Sequence, residues 1–378
     1  MGKLLKFFLI IIIVSSICII TLKAFSIYQN NNITPPNPTV SPYQSKSSVL
    51  FNSPSPYTGK ISPDIILSTP AKLEYSNDPV KNLKKGLVPM VVTMENDKTL
   101  GIYSKLPDDK MLLTKFTKKP WGTWNIGGWY IITDDKIPSK KHYSLADGSS
   151  DWEYVFRVSK NHSGGYEFSG GNHENEILKS LKFFKNGKET ELFLQEGEKH
   201  YISNLKIVEE TYLTTNNSPS EKYAQVVRTY SFSPSKITLD TNFDFISDIY
   251  MGTSYVCMMP TNKSFARHIK FLDSKNTYST PEPGNTLTTS EFENYIGKEK
   301  TMSVKLWGDS NPSYSFLVGI GNKKMVDYFN NNLKVFLWDL NEKANKLYFS
   351  KYDNQDFTLV EKGTEWNNSS YWKLMVEH

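Results

Sequence analysis

Two stretches of the chain alternate between apolar and polar residues. Residues 237–245 place Ile, Leu, Thr, Phe and Phe on one side and Thr, Asp, Asn and Asp on the other. In residues 152–158, the side chains Trp152, Tyr154, Phe156 and Val158 share one side in the same way. Successive side chains of a β-strand point to opposite faces, so each stretch predicts a strand with one buried face.

The chain from about residue 87 onward carries the same kind of pattern. Asn186-Gly187 joins two short strand-like runs, and such a pair predicts a type I′ hairpin. One stretch, residues 323–332, has the spacing of a short helix. Many short strands separated by turns predict an all-β domain, an antiparallel β-sandwich of jelly-roll type. Further strand-like runs are residues 90–94, 223–232, 302–307, 315–319, 333–340 and 347–352.

The first residues show a different pattern, a basic start followed by a long apolar run. Lys3 and Lys6 begin a stretch that stays mostly apolar to Leu22. Its length is near the ~20 residues that span a bilayer, so residues 1–28 predict a retained signal anchor. Cleavage near Ser26 is the alternative. The chain is therefore expected to be a single-pass membrane protein with an extracellular C-terminal part, or a secreted protein.

Residues 29–60 are rich in Pro, Asn and Ser, which predicts an extended linker without a core. Residues 61–378 then form the extracellular all-β domain, and a sub-boundary near residue 150 is the alternative to a single unit. The membrane is the partner expected for the N-terminal helix.

Composition narrows the class of function. The net charge of the chain is +5, and three Lys residues before position 24 supply most of it. The exported part therefore lacks the positive field that nucleic acid binding requires. Cys18 and Cys257 are the two cysteines, and one lies in the apolar run, so no internal disulfide is expected. Only three of the 44 basic residues are Arg, which with many Asn and Ile residues points to an AT-rich, Gram-positive bacterium.

The sharpest local motif is the turn Gly170-Gly171-Asn172-His173. A glycine pair marks a backbone that needs positive φ or a close approach, and polar turns on β scaffolds often carry sites. A solvated turn is the alternative. Residues 150–195, which contain this motif, a strand before it and a hairpin after it, resemble secreted and phage-borne β-sandwich proteins that act on polysaccharides. The resemblance implies a glycan site with Asn172 and His173, and a further glycine where Glu174 and Asn175 stand.

A second stretch, residues 250–260, has with its flanks the composition of a uronide β-elimination site. Such a site needs a cation to neutralise the substrate carboxylate, a base for the ring proton and an acid for the leaving oxygen. Plain core packing is the alternative for its Tyr and Met positions. The catalytic candidates are His173 or His268 as base, Tyr255 as acid, and Arg157, Arg228 or Arg267 as the cation.

Aromatic and charged residues elsewhere supply substrate-binding candidates. Trp121, Trp124 and Trp129 lie close together in the sequence, and flat rings suit stacking on sugars. Core packing is their alternative. Arg228 shares its strand face with apolar residues. A charge there is either paired with a buried carboxylate or exposed in a cleft, and we include it with Asn172 among the substrate-binding residues.

The sequence carries no motif for several other chemistries. It has no P-loop, EF-hand loop or zinc-spaced Cys/His set, and no Gly-x-Ser-x-Gly elbow. No metal ligand or cofactor is predicted, and a structural Ca²⁺ is left open. We therefore expect an exported cell-surface protein that interacts with a polysaccharide or cell-wall glycan. A polysaccharide lyase, a hydrolase and a non-catalytic structural role in the cell envelope are the alternatives, with the oligomeric state open.

Overall fold

The computed structural model describes residues 76–377, except 149, 163, 192–195, 288–293, 311–312 and 330–333, and it omits the side chains of 313 and 353–356. The predicted anchor, residues 1–28, and the predicted linker, residues 29–60, lie outside the described residues. Within the described ranges, no helix has both the length and the apolar character needed to cross a bilayer.

The described residues form two short helices and twenty-two strands. In chain order they are α1 (Pro79–Lys84), β1 (Met90–Asn96), β2 (Thr99–Lys105), β3 (Met111–Lys118), β4 (Trp124–Ile132), β5 (His142–Asp147), β6 (Val155–Ser159), β7 (Glu167–Ser169), β8 (Glu176–Lys185), β9 (Lys188–Thr190), β10 (His200–Ile202), β11 (Leu205–Thr214), β12 (Lys222–Ser233), β13 (Lys236–Phe245), β14 (Ile249–Asn262), β15 (His268–Phe271), β16 (Thr277–Ser279), β17 (Tyr295–Glu299), β18 (Ser303–Trp307), β19 (Ser313–Ile320), α2 (Lys323–Asp327), β20 (Val335–Trp338), β21 (Ala344–Val360) and β22 (Glu365–Glu377).

These strands build three sheets. The first has six strands in the order β10-β1-β2-β3-β4-β5, and the second has ten in the order β16-β15-β18-β19-β22-β13-β12-β11-β8-β9. The third has six strands in the order β17-β20-β21-β14-β6-β7. Neighbouring strands run antiparallel, as in the pairs β12–β13 and β14–β21. The prediction of an antiparallel all-β domain is confirmed, while the jelly-roll designation stays a prediction.

The hydrophobic core lies on one face of the ten-stranded sheet. Along β13 the side chains alternate as the sequence predicts, with Ile237, Leu239 and Phe243 buried and Asp240 and Asp244 exposed. One cluster joins this face to the first sheet and to part of the third. A second cluster joins it to the third sheet, and its members include Phe156, Met251, Val226, Phe243 and Trp366. The ten-stranded sheet therefore packs against both smaller sheets.

Two local predictions are confirmed with changes. Lys185 and Lys188 pair across Asn186-Gly187, whose φ values of 51° and 82° are those a type I′ turn needs. The helix α2 covers only the start of its predicted stretch, and the side chain of Asn322 accepts a hydrogen bond from Lys324 N at its N-terminus.

The predicted strand at 152–158 begins later, at Val155. Glu153 is as buried as its apolar neighbours, because its carboxylate accepts a hydrogen bond from Ile126 N at 2.7 Å. The segment thus passes through the core with both faces buried, and alternation does not describe it.

The two smaller sheets differ in what covers their second face. On the first sheet, Val80 and Leu83 of α1 pack with Val91 and Leu113. On the third sheet, the face turned away from the core carries a smaller cluster that contains Val155, Met258, Phe336 and Tyr348. We call this second face of the third sheet the outer face.

Candidate functional site

The predicted Gly-Gly turn is a tight loop between β7 and β8. His173 N donates to Gly170 O at 3.1 Å, and Gly170 N donates to Glu174 O at 3.3 Å. Gly170 and Gly171 have φ values of 84° and 58°. A Cβ on Gly170 would lie 2.6 Å from the Tyr154 ring, and one on Gly171 would overlap the Asp151 carboxylate. Both glycines are therefore required by positive φ and by close approach.

The two residues that replace the expected glycine adopt a glycine-like backbone. Glu174 and Asn175 have φ values of 55° and 50°, in the left-handed region that L-residues enter at a cost. Asn175 is held there by Asn217, whose side-chain oxygen accepts from Asn175 N at 2.8 Å. Asn217 N in turn donates to the Asn175 side chain at 2.5 Å. This reciprocal pair fixes the exit of the turn.

The turn encloses a buried carboxylate, Asp151. Its Oδ1 accepts a hydrogen bond from Asn172 N at 2.6 Å. Its Oδ2 lies 3.1 Å from Lys346 Nζ and 3.6 Å from His173 Nε2. Lys119 Nζ donates to the side-chain oxygen of Asn172. We call these five residues the Asp151 cluster.

The charges in the Asp151 cluster are strongly coupled. Burial alone would raise the pKa of Asp151, but its pairing with His173, the charge of Lys346 and the hydrogen bond from the Asn172 amide outweigh it and hold that pKa well below its usual range. Burial lowers the pKa of Lys346 and that of Lys119. Asp151 is thus an ionised carboxylate beneath His173, whose side chain is 38% exposed. Because Nε2 faces Asp151, Nδ1 is the ring nitrogen that is left for a ligand.

Aromatic side chains continue from the Asp151 cluster across the outer face. Lys346 Nζ lies 4.9 Å from the ring centre of Tyr348. Tyr348 contacts Tyr255 at 4.6 Å between ring centroids and stacks on Phe336 at 4.9 Å. Tyr295 contacts both Phe336 and Trp338. We call the group Tyr255, Tyr295, Phe336, Trp338 and Tyr348 the aromatic face. Phe336 and Tyr348 are 0% and 6% exposed, so they support the face from beneath, and its accessible rings are the half-buried Tyr255, Tyr295 and Trp338.

A cation and two further aromatic rings lie on the other side of His173. Arg157 on β6 pairs in register with Phe168 on β7, and Phe168 stacks on His173 with centroids 4.7 Å apart. The guanidinium carbon of Arg157 lies 3.1 Å from the ring centre of Tyr166. Tyr166 and Phe168 are both 38% exposed. Four candidates from the sequence, Arg157, Asn172, His173 and Tyr255, therefore belong to one contiguous set of contacts, and their roles stay predictions.

Two other catalytic candidates form a separate group on the ten-stranded sheet. Arg267 Nε and His268 Nε2 both pair with Asp309, at 2.5 and 3.0 Å. His268 Nδ1 lies 2.7 Å from Ser279 Oγ, and its ring stacks on Trp307. Asp309 and Ser279 occupy the polar groups of Arg267 and His268. This group lies at the β15–β16 edge of the ten-stranded sheet, whereas the turn that contains His173 leads into β8 near the opposite edge.

Three of the substrate-binding candidates are buried, and this corrects their assignment. Trp129 is 0% and Trp124 6% exposed, because they point from β4 into the core. Trp124 stacks on Phe116, and Trp129 packs against Trp152. Arg228 is 0% exposed. A glycan on the protein surface cannot reach these side chains.

Arg228 is paired with buried carboxylates and is not exposed in a cleft. Its Nη2 lies 2.6 Å from Glu209 Oε2 and 3.3 Å from Glu176 Oε1, and all three side chains are fully buried. Glu153 joins this group through Tyr230, whose hydroxyl lies 3.3 Å from Glu153 Oε1. Burial raises the pKa of Glu209 to about 8, against the opposing charge of Arg228. Along β11, alternation places Glu209 on the same buried face as Leu205 and Ile207. This alternation is the sequence signal from which the burial of Glu209 could have been predicted.

Trp121, the remaining candidate, is half-buried in the turn between β3 and β4. It lines a cavity of about 260 Å³ with Glu174, Asn175, Glu176, Ile177, Thr214 and Asn217. The bond from Lys119 to Asn172 ties this turn to the Gly-Gly turn. The sequence did not indicate Asp151, Lys119 or Lys346, because their pairing joins segments far apart in the chain.

Comparisons with known proteins leave the family open. No family model matches the chain, and no curated protein matches it. Among solved structures, the galactosidase domain of α-galactosidase-sucrose kinase, AgaSK, has a TM-score of 0.43 and 10% identity over 76% of this chain and 42% of its own. The α-galactosidase from Lactobacillus brevis has a TM-score of 0.42 and 9% identity over 75% of this chain and 40% of its own.

A smaller protein, Slr1438 from Synechocystis sp. PCC 6803, has a TM-score of 0.29 and 10% identity over 75% of this chain and 99% of its own. The chain thus spans about two fifths of the galactosidase structures that it matches. At these TM-scores and identities the likeness assigns neither a family nor an activity.

Proposed function

We propose that the protein binds carbohydrate on the outer face of its third sheet. The observation that carries this proposal is the continuity of the aromatic face with the Asp151 cluster. Contacts run from Tyr255 through Tyr348 to Lys346, Asp151 and His173. Flat rings beside fixed polar groups are the chemistry that sugar recognition needs.

The aromatic rings and the polar groups of this surface each supply one part of sugar recognition. An aromatic ring has a negative face, which attracts the C–H groups on one side of a sugar ring. The exposed rings Tyr166 and Phe168 are accessible to such stacking. Hydroxyl groups require donors and acceptors held in place, and His173 is oriented by Asp151 while Asn172 is oriented by Lys119. Fixed partners lower the entropy lost on binding.

The cellular setting of this proposal comes from the sequence. A basic start and an apolar run within residues 1–28, followed by a Pro-rich segment, support a cell-surface protein with its β domain outside the membrane. A cell-wall glycan or an extracellular polysaccharide is then the ligand within reach.

The proposal is tested by the binding of the purified full chain to a panel of cell-envelope and extracellular polysaccharides in an affinity gel. Phe168→Ala removes an exposed ring and the stacking partner of His173. It should weaken binding roughly tenfold, since an aromatic contact contributes about 0.5–1.5 kcal/mol beyond its buried area.

Tyr143→Ala is the matched control. Tyr143 is 36% exposed but lies on β5 of the first sheet, so its loss should leave binding unchanged. If no polysaccharide in the gel retards the unmodified chain, the proposal is contradicted and a structural role in the envelope is favoured. Equal weakening by both variants would place the site elsewhere.

The pairing of His173 with Asp151 favours a second candidate, polysaccharide cleavage by β-elimination. In that reaction Arg157 would neutralise a uronate carboxylate, His173 would remove the ring proton and Tyr255 would protonate the leaving oxygen. Turnover is followed by the ultraviolet absorbance of the new double bond on acidic polysaccharides. His173→Ala should abolish turnover and retain most of the binding. If the unmodified chain shows no turnover, β-elimination is contradicted, and carbohydrate binding without catalysis is the function that is left.

A further inference from the structure

The β15–β16 edge of the ten-stranded sheet holds a serine, a histidine and a carboxylate in one chain of contacts. Ser279 Oγ lies 2.7 Å from His268 Nδ1, and His268 Nε2 lies 3.0 Å from Asp309 Oδ1. The same three residue types in this order form the catalytic triad of many hydrolases, which is recognised by geometry and not by position in the sequence. We call Ser279, His268 and Asp309 the edge triad.

Strand register brings the serine of the edge triad to its histidine. His268 on β15 and Ser279 on β16 are directly opposite each other in an antiparallel pair. The next pair is hydrogen-bonded, because Thr280 N donates to Arg267 O at 2.9 Å. His268 and Ser279 therefore form a pair without backbone hydrogen bonds between them, the position at which opposite side chains approach most closely.

The carboxylate comes from the loop that follows β18. A Cβ on Gly308 would lie 2.1 Å from Ser264 O, so this loop can pass close to the neighbouring backbone only without a side chain there. Arg267 Nε holds the second oxygen of Asp309 at 2.5 Å. The hydrogen bonds from His268 and Arg267 lower the pKa of Asp309 below its ordinary value. An ionised carboxylate thus faces His268 Nε2.

This arrangement sets the proton positions on the histidine. An ionised carboxylate only accepts hydrogen bonds, so Nε2 of the neutral imidazole carries the proton. Nδ1 then has a free electron pair, and the hydroxyl of Ser279 donates to it. The imidazole is fixed by its stack on Trp307, with centroids 5.2 Å apart. His268 is therefore oriented as a general base toward Ser279.

The reactive atoms are accessible from solvent. All three residues of β16 are exposed, Ser279 among them, and the His268 side chain is 17% exposed. Backbone N–H groups alternate in direction along a strand, so the N–H of Ser279 points away from β15. β16 is the last strand of its sheet, and no described strand pairs with it on that side. This N–H can donate to an oxyanion that forms on Ser279.

We propose that the edge triad hydrolyses small carboxylic esters, an activity separate from carbohydrate binding at the outer face. Ser279 Oγ attacks the acyl carbon, its proton moves to His268 Nδ1, and the carbonyl electron pair moves to oxygen. The oxyanion collapses, and the leaving alkoxide takes the proton from Nδ1. Water then attacks the acyl-serine by the same route, which releases the carboxylic acid and restores Ser279.

The exposure of β16 limits the acyl group. An acyl chain attached to Ser279 stays in solvent, so a long apolar chain gains no burial. One backbone N–H also gives less oxyanion stabilisation than the two or more donors of a complete oxyanion hole. Short acyl groups with a good leaving group, such as aryl acetates, are therefore the esters that suit this site.

The test uses the full chain with 4-nitrophenyl acetate and, separately, with a fluorophosphonate that labels nucleophilic serines. The unmodified chain should show a burst of nitrophenolate and an acetyl group on Ser279 by mass spectrometry. Ser279→Ala should remove the label and the burst. His268→Ala should slow acetylation about 10²-fold, the lower end of the effect of a general base.

Ser274→Ala is the matched control, since Ser274 is an exposed serine of the same hairpin whose hydroxyl donates to Glu299. It should leave labelling and hydrolysis unchanged. Asp309 is a positioning residue. Asp309→Asn should lower kcat for the ester with KM unchanged, and Asp309→Glu should restore part of kcat.

Two results would overturn the proposal, namely no label on Ser279, or equal ester hydrolysis by the unmodified chain and Ser279→Ala. Circular dichroism confirms that each variant is folded. The outcome is independent of the carbohydrate proposal, because Ser279→Ala should keep polysaccharide retention and Phe168→Ala should keep ester hydrolysis.

Discussion

The fully buried charges around Arg228 show how one residue can link the layers of the molecule. Arg228 and Glu209 come from the ten-stranded sheet, and Glu153 comes from the segment that leads from the first sheet to the third. Glu209 also accepts a hydrogen bond from Trp124 N of the first sheet at 2.8 Å. Buried charges are costly unless they are paired. The group therefore makes the relative placement of the sheets depend on one guanidinium.

Replacement of Arg228 by Met should destabilise the fold strongly. It removes the only positive charge that contacts Glu209 and Glu176 in the described residues, and breaking a buried pair costs about 3–5 kcal/mol. The free energy of unfolding, measured with urea at pH 8 and at pH 5, should show this loss, with the smaller loss at pH 5, because burial raises the pKa of Glu209 to about 8 and its carboxyl group is protonated at pH 5. A loss below about 1 kcal/mol at pH 8 would mean that the ion pairs do not form as described.

A second residue-scale prediction concerns pH. The pKa of Glu209 is about 8 in the folded protein, above its ordinary value of 4.5. A raised folded-state pKa means that the folded state holds the proton more tightly, so this contribution to stability is complete below pH 4.5 and is lost as pH rises through 8. Relative to Glu209→Gln, the unmodified protein should therefore lose unfolding free energy between pH 4.5 and 8. Parallel stability curves for the two proteins would contradict this.

At the scale of elements, the Gly-Gly turn is the feature that brings the candidate site together. On one side its amide at Asn172 holds Asp151, and on the other its last residues form the rim of the cavity beside Trp121. Asp151 lies between β5 and β6, and the turn lies between β7 and β8. The two segments can approach this closely because Gly170 and Gly171 have no side chains.

Gly171→Ala should damage both the fold and the site. The new Cβ would overlap the carboxylate of Asp151 at a φ of 58°, and left-handed backbone and overpacking each cost about 1–3 kcal/mol. We expect a lower melting temperature and weaker polysaccharide retention. Gly165→Ala, which has open space around its Cβ, should change neither. A fully stable Gly171→Ala variant with normal binding would contradict the role of the turn.

Local patterns in the sequence were sufficient for many elements. The alternation in β13 and the Asn186-Gly187 hairpin are set by neighbouring residues, and both were predictable. The burial of Glu153 was not predictable, because the pattern places its carboxylate on the polar side of a strand. The hydrogen bond from Ile126 N on β4, a strand distant in the sequence, compensates for the cost of burying this carboxylate. For Trp124 and Trp129 the sequence allowed either sugar stacking or core packing. Only their contacts in the structure distinguish between the two.

At the scale of the whole molecule, the third sheet places the predicted residues together. Tyr255 on β14 pairs in register with Val155 on β6, and β14 also pairs with β21, which carries Lys346 and Tyr348. Lys346 and Asp151 are 195 positions apart in the chain. No local pattern predicts such a pairing. The sequence could therefore nominate His173, Tyr255 and Arg157 but could not show what connects them.

The most direct test of this account is hydrogen–deuterium exchange of the full chain with and without a retained polysaccharide. The account predicts slower exchange in residues 166–175 and 336–348, which carry the Gly-Gly turn and most of the aromatic face. Residues 267–279, around Arg267 and His268, should not change. Protection confined to residues 267–279, or no protection by any polysaccharide in the panel, would contradict carbohydrate binding at the outer face.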